Sequence, residues 1–184
     1  ILSSGKSKSR MPRCLILTPT RELAMQVSEE FNILNKYFKL QMALLIGGVS
    51  FSEQDQKLSK GVDLIVATPG RLLDHINRGK VIIKEVKLLI IDEADRMLDM
   101  GFIPDVRKII YKLPVKEKRQ TLLFSATIPK EIEKLSLKYL TNPHRVSVGA
   151  TNTVATNVDH EVLEIKQEAK YSKLIDYILY MRNI

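Results

Sequence analysis

Short, almost uninterrupted apolar runs alternate along this chain with longer amphipathic stretches, and no other feature limits the fold so strongly. The runs fall at residues 14–17, 42–46, 64–67, 88–91, 121–124 and 145–148. Each is too short for a helix and rich in Leu, Ile and Val. That is the form of strands buried on both faces of a parallel sheet. Between them, residues 21–38 carry Leu23, Val27, Phe31 and Leu34 at helical spacing, and residues 130–140 carry Ile132, Leu135 and Tyr139. Shorter helices are predicted at 50–59, 71–77 and 104–112. Strand–helix repetition predicts an α/β fold: a parallel sheet joined by right-handed crossovers, with helices on both faces. A chain of 184 residues, 45% hydrophobic, is large enough to bury such a core.

Charge and composition narrow the function. Lys and Arg number 29 against 21 Asp and Glu, a net charge of +8, so a polyanion is a plausible partner. One cysteine, Cys14, excludes an internal disulfide and a Cys-rich zinc site, and suits a reducing, cytoplasmic setting. The longest pure aliphatic run, residues 88–91, is far short of a membrane span, and no signal peptide opens the chain. The first residue is Ile1, which reads as a cut from something longer. The organisation expected is a first domain over 1–149, a small polar linker over 150–157, and the beginning of a second domain over 158–184. In that last stretch a strand at 158–165 precedes a helix at 171–181, too little to close a core alone.

Ligands of parallel α/β sheets gather beyond the carboxyl ends of the strands. The segments there are Thr18-Pro19-Thr20-Arg21-Glu22, Gly47-Gly48, Thr68-Pro69-Gly70-Arg71, Asp92-Glu93-Ala94-Asp95 and Ser125-Ala126-Thr127. All should face one edge, and they separate by chemistry. Asp92 and Glu93 end an aliphatic run, the form of a Walker B site. There one carboxylate holds the Mg²⁺ of a nucleotide and the next takes a proton from water. The plain alternative is a helix N-terminus, which favours acidic residues. Ser125-Ala126-Thr127 can likewise be a simple cap before a helix at Pro129. In the other group, Thr20 and Thr68 can cap helices whose free N–H groups bind phosphate. Gly47-Gly48 permits close backbone approach, and Arg21 and Arg71 can fork onto phosphates. One such loop is ordinary turn chemistry; three in a basic chain point to a track for a phosphate backbone. Gly5-Lys6-Ser7 only mimics the end of a P-loop, because too few residues follow it for a crossover helix before residue 14. Residues 3–13, with Lys6, Lys8, Arg10 and Arg13, read instead as a flexible basic loop.

The ordered set Pro19-Thr20-Arg21-Glu22-Leu23-Ala24, Gly47-Gly48, Thr68-Pro69-Gly70-Arg71, Asp92-Glu93-Ala94-Asp95 and Ser125-Ala126-Thr127 resembles the DEAD-box ATP-dependent RNA helicases of superfamily 2. Residues 92–102 look especially like the bacterial members. The resemblance implies a RecA-like fold with ATP and Mg²⁺ as cofactors and RNA as partner. It further implies that Asp92 contacts Mg²⁺–ATP and Glu93 activates the attacking water. Asp95 would hydrogen-bond toward Ser125 and Thr127 in the coupling motif that includes Ala126. Pro19, Thr20, Arg21, Gly47, Gly48, Thr68, Pro69, Gly70 and Arg71 would line the RNA backbone. The family's adenine-binding Gln motif, P-loop and second-domain arginine finger have no counterpart within these residues. These 184 residues alone are therefore expected to bind ATP weakly and to lack RNA-stimulated hydrolysis. Two other readings remain: an RNA-binding module without catalysis, and a DNA-directed superfamily 2 enzyme.

Overall fold

The structure, a computed structural model, describes residues 11–148 and 162–181. Five strands form one parallel sheet: β1 (Cys14–Leu17), β2 (Met42–Leu45), β3 (Leu64–Ala67), β4 (Leu88–Ile91) and β5 (Gln120–Leu123). Their spatial order is β2-β3-β1-β4-β5. Leu17 is in register with Ala67 and Ile91, Ala67 with Leu45, and Ile91 with Leu123. All five strands therefore end level, and every following segment leaves from the same edge.

Six helices accompany the sheet: α1 (Arg21–Leu34), α2 (Phe51–Ser59), α3 (Pro69–Asn77), α4 (Ala94–Asp99), α5 (Ile103–Lys112) and α6 (Lys130–Tyr139). Alternation along the strands divides their side chains between two faces. Leu15, Leu17, Leu45, Ile65, Leu89 and Ile91 pack with Leu58 of α2, Leu72 of α3, Met97 of α4, Ile109 of α5 and Ile132 of α6. Cys14, Leu64 and Val66 point the other way and pack with Ala24, Val27 and Phe31 of α1. Truncating a fully buried member such as Leu89 to Ala would cost about 2–5 kcal/mol.

Burial on both faces holds throughout for β3 alone. In β2 and β4 burial alternates, and β5 is half-exposed. The reason is coverage: among the described residues, α1 is the helix packed on the second face. The helix expected over 21–38 stops at Leu34 and continues as a 3-10 turn, Asn35–Tyr37, so Leu34 is exposed. Residues 145–148, expected as a sixth strand, are irregular and exposed; Val146 and Val148 alternate with Arg and Ser but pair with no strand among the described residues. Helix α4 was not legible in the sequence. Arg13, assigned to the basic loop, is instead buried and ion-paired with Asp63. The rest of that loop before residue 11 lies outside the described residues, as does Gly5-Lys6-Ser7.

Contacts divide the chain after His144. In the second unit, residues 162–166 are irregular, Gln167–Ala169 form a 3-10 turn, and α7 (Lys170–Met181) follows, with Leu174, Ile175, Ile178 and Leu179 exposed. The helix expected there is present; the strand expected at 158–165 is absent from 162–165. Residues 150–157 and 158–161 lie outside the described residues.

Candidate functional site

The loops after β4 and β5 are tied together by one carboxylate. Asp95 Oδ2 accepts from both the amide and the hydroxyl of Thr127, each at 2.8 Å. The Asp95 amide donates to Ser125 Oγ at 3.1 Å, and that hydroxyl donates to the Thr127 carbonyl at 2.6 Å. Burial pushes the Asp95 carboxyl up, but the bonds from Thr127, Ser125 and the Arg96 amide outweigh it and hold it below its ordinary value. Ser125 and Thr127 are thus not caps of α6, whose N-cap Pro129 has no side-chain bond.

Immediately before this link, the Asp92 amide donates to Leu17 O and extends the β1–β4 ladder by one residue. Asp92 Oδ1 accepts from the Glu93 amide at 3.0 Å. Glu93 then turns the chain into α4 in a left-handed conformation, φ 49° and ψ 54°. For a residue with a Cβ this costs about 1–2 kcal/mol, and such strain concentrates at working sites. Glu93 makes no side-chain cap on α4; its carboxylate lies 3.8 Å from the Arg96 guanidinium. The plain reading of this pair as a helix N-terminus is met in part: α4 starts directly after Glu93 and has Asp95 in its first turn, but neither acid makes a side-chain cap bond at the N-cap. Among the described residues no cluster of three metal-ligating side chains occurs. If a divalent ion binds at this strand end, Asp92 is the carboxylate that would hold it, and the ion would supply charge neutralisation there.

Beyond β1, β2 and β3 the edge is basic and braced. Thr20 caps α1, its hydroxyl accepting from the Leu23 amide at 3.2 Å; Thr68 stands at the N-cap of α3 but makes no such bond. Pro19 is buried before Thr20, and Pro69 is buried in the first turn of α3. Arg21 Nη1 donates to the Gly47 carbonyl at 3.5 Å, and Arg71 Nη2 donates to the Val49 carbonyl. Between these anchors Gly48 turns at φ 78°, and a Cβ there would meet Arg21 Nη1 at 2.5 Å. A Cβ on Gly47 or Gly70 would meet nothing within 4 Å, so packing within the chain requires neither glycine.

A network under Arg71 escaped the sequence reading. Arg71 Nε donates to Gln54 Oε1 at 3.2 Å, and its guanidinium lies 3.4 Å from the Phe51 ring centroid, with Arg78 3.8 Å from the same ring. Gln54, buried, donates Nε2 to the Ile46 carbonyl at 3.0 Å. His75, fully buried, lies 2.9 Å from Gln54 Oε1 through Nε2 and 3.2 Å from Asp55 through Nδ1. The available signal was a polar residue between Phe51 and Leu58 on the inward stripe of α2.

A level parallel sheet with a strained Asp-Glu turn and a glycine–arginine loop system on one edge defines an α/β domain of the parallel-sheet class, its motif loops gathered at the carboxyl edge. Comparison with known proteins is more specific. The DEAD/DEAH box helicase family matches residues 1–135. Among curated relatives, the ATP-dependent RNA helicase DbpA of Bacillus subtilis is 43% identical over 91% of this chain and 35% of its own length. DEAD-box ATP-dependent RNA helicase 20 of Arabidopsis thaliana is 42% identical over 89% of this chain and 32% of its own. A crystal structure of a DEAD box protein from Methanococcus jannaschii shares 49% identity at a TM-score of 0.67, covering 71% of this chain and 35% of that one. The chain belongs to the DEAD/DEAH box helicase family, and spans about a third of the length of these relatives. Among the described residues no helix is long and apolar enough to cross a membrane.

Proposed function

We propose that this chain is part of an ATP-dependent RNA helicase, cytoplasmic in setting, that couples ATP binding and hydrolysis to local RNA duplex unwinding. The observation that carries the reading is the Asp95–Ser125–Thr127 link, which joins the strand end bearing Asp92 and Glu93 to the neighbouring loop. Asp92 holds Mg²⁺ of Mg²⁺–ATP, directly or through water, and Glu93 accepts the proton of the attacking water. The metal supplies neutralisation of phosphate charge. Movement at Asp95 is passed to the Ser125-Ala126-Thr127 loop. Pro19, Thr20, Arg21, Gly47, Gly48, Thr68, Pro69, Gly70 and Arg71 hold the RNA backbone, a contact that reads no sequence. Residues 1–149 form the first RecA-like domain, 150–157 the linker, and 158–184 the start of a second. The test is phosphate release and separation of a short duplex by the full-length protein, with and without single-stranded RNA. RNA-stimulated turnover is expected; RNA binding without any ATP turnover would overturn the reading.

A further inference from the structure

Gln54 sits between two motif segments, the turn at Gly47-Gly48 and the start of α3, and its orientation is fixed. Nε2 donates to the Ile46 carbonyl, one residue before Gly47, and Oε1 accepts from Arg71 Nε. An arginine N–H only donates and a carbonyl only accepts, so the amide cannot be reversed. His75 Nε2, at 2.9 Å from Oε1, must then carry a proton. His75 Nδ1 faces Asp55 Oδ1 at 3.2 Å, a contact that is favourable only when Nδ1 also carries a proton, and Asp55 in turn lies 3.5 Å from Lys80. Arg71 is held three ways: by Gln54, by the Val49 carbonyl and by the Phe51 ring. A guanidinium so fixed is already ordered before any phosphate arrives, which reduces the cost of binding.

We propose that Gln54, backed by His75, is the positioning residue that presents Arg71 to a nucleic-acid phosphate. The proposal rests on the RNA-binding reading above and gives α2 a part in it. Gln54 itself touches no RNA; it acts through Arg71 and through the turn that Ile46 opens.

The experiment uses the full-length protein and single-stranded RNA over a series of salt concentrations. Gln54→Met keeps length and bulk while removing the bonds to Ile46, Arg71 and His75. It should weaken binding about three- to tenfold and flatten the log K against log[salt] line by about one contact, as loss of one phosphate contact does. In the double variant with Arg71→Ala, affinity should equal that of Arg71→Ala alone. RNA-stimulated turnover should show a raised KM for RNA with kcat retained, a split that general loosening of the domain would not give. Should Gln54→Met not fold, Gln54→Glu carries the same test: it keeps an acceptor for Arg71 Nε while losing the donor to Ile46, and it should retain the Arg71-dependent salt slope that Arg71→Ala loses. Wild-type binding by Gln54→Met, or multiplying losses in the double variant, would overturn the proposal while leaving the RNA reading intact. Unchanged binding by Arg71→Ala would instead overturn the RNA reading, and the proposal with it. Imidazole nitrogen NMR reads the network independently of RNA: a proton on Nε2 is expected, and a ring with Nε2 unprotonated would remove the bond to Gln54.

Discussion

The two halves of the sheet's carboxyl edge are built differently. Beyond β4 and β5, two loops meet through a single charged acceptor, Asp95, that takes two bonds from Thr127. Beyond β1, β2 and β3, the loop around Gly48 is held from both sides by arginines, one of which rests on a buried glutamine. The first arrangement can be made or broken by small shifts of one carboxylate. The second is a braced surface with redundant anchors. Strand order keeps them apart, because β1 and β4 are the neighbours at which the acidic and basic halves meet. On the proposed function, coupling hydrolysis to a backbone contact would need both a switch and a platform on one sheet.

Breaking the acidic half should give the largest effect. Glu93→Gln in the full-length protein keeps size and loses the base, so single-turnover hydrolysis should fall on the order of 10²-fold or more. ATP and RNA affinities, measured separately by calorimetry, should be retained. Wild-type turnover would remove Glu93 from the mechanism.

Cutting the link comes next. Asp95→Ala should reduce the RNA stimulation of ATPase roughly tenfold or more, because it removes both bonds that Asp95 Oδ2 accepts from Thr127, with RNA affinity itself unchanged. Because the folded Asp95 carboxyl is held below its ordinary value, its contribution is complete above the ordinary Asp range. It is lost as pH falls through the lowered folded value. A pH titration of the Thr127 amide by NMR should show the bond persisting into acid beyond that of an ordinary Asp; loss above pH 5 would contradict the assignment.

Smaller effects should come from the basic half. Gly48→Ala places a Cβ against Arg21 at a left-handed position. It should cost about 1–2 kcal/mol in stability and weaken RNA binding, whereas Gly70→Ala should melt like wild type. Equal melting points for the two would show that the Gly48 turn is not braced. Smallest is the expectation for Cys14, on the central strand that serves both halves. Burial pushes its thiol up to about 12, so a thiol reagent at pH 8 should leave it unmodified in the folded protein, with or without RNA. RNA-dependent labelling would show that the platform opens.

What the sequence made legible follows from these same contrasts. The first four strands could be read because each is a short apolar block; β5, Gln-Thr-Leu-Leu, was expected one residue later at 121–124, and the level edge followed from the strands being parallel. Helix α4 could not, since it spans six residues and buries only Ala94 and Met97. Residues 145–148 carry strand-like valines but pair with no strand among the described residues, and pairing is decided by tertiary context. In the candidate site, the carboxylates and arginines were visible as loop residues, and the Asp95–Thr127 bond only through family resemblance. Gln54 and His75 were invisible because a buried polar pair has no spacing rule; only the fold shows that its partners are Ile46, Arg71 and Asp55. The left-handed turn at Glu93 is likewise unmarked, as no glycine announces it.

The account's central claim is that platform and switch are separate on one edge. The most direct measurement is the salt dependence of binding to two unrelated single-stranded RNAs by the full-length protein, its Arg21→Ala variant and its Asp95→Ala variant. The account predicts one shared line for both RNAs, a slope shallower by about one in Arg21→Ala, and no change in Asp95→Ala. A strong preference for one RNA at equal salt, or a slope that changes in Asp95→Ala and not in Arg21→Ala, would contradict it.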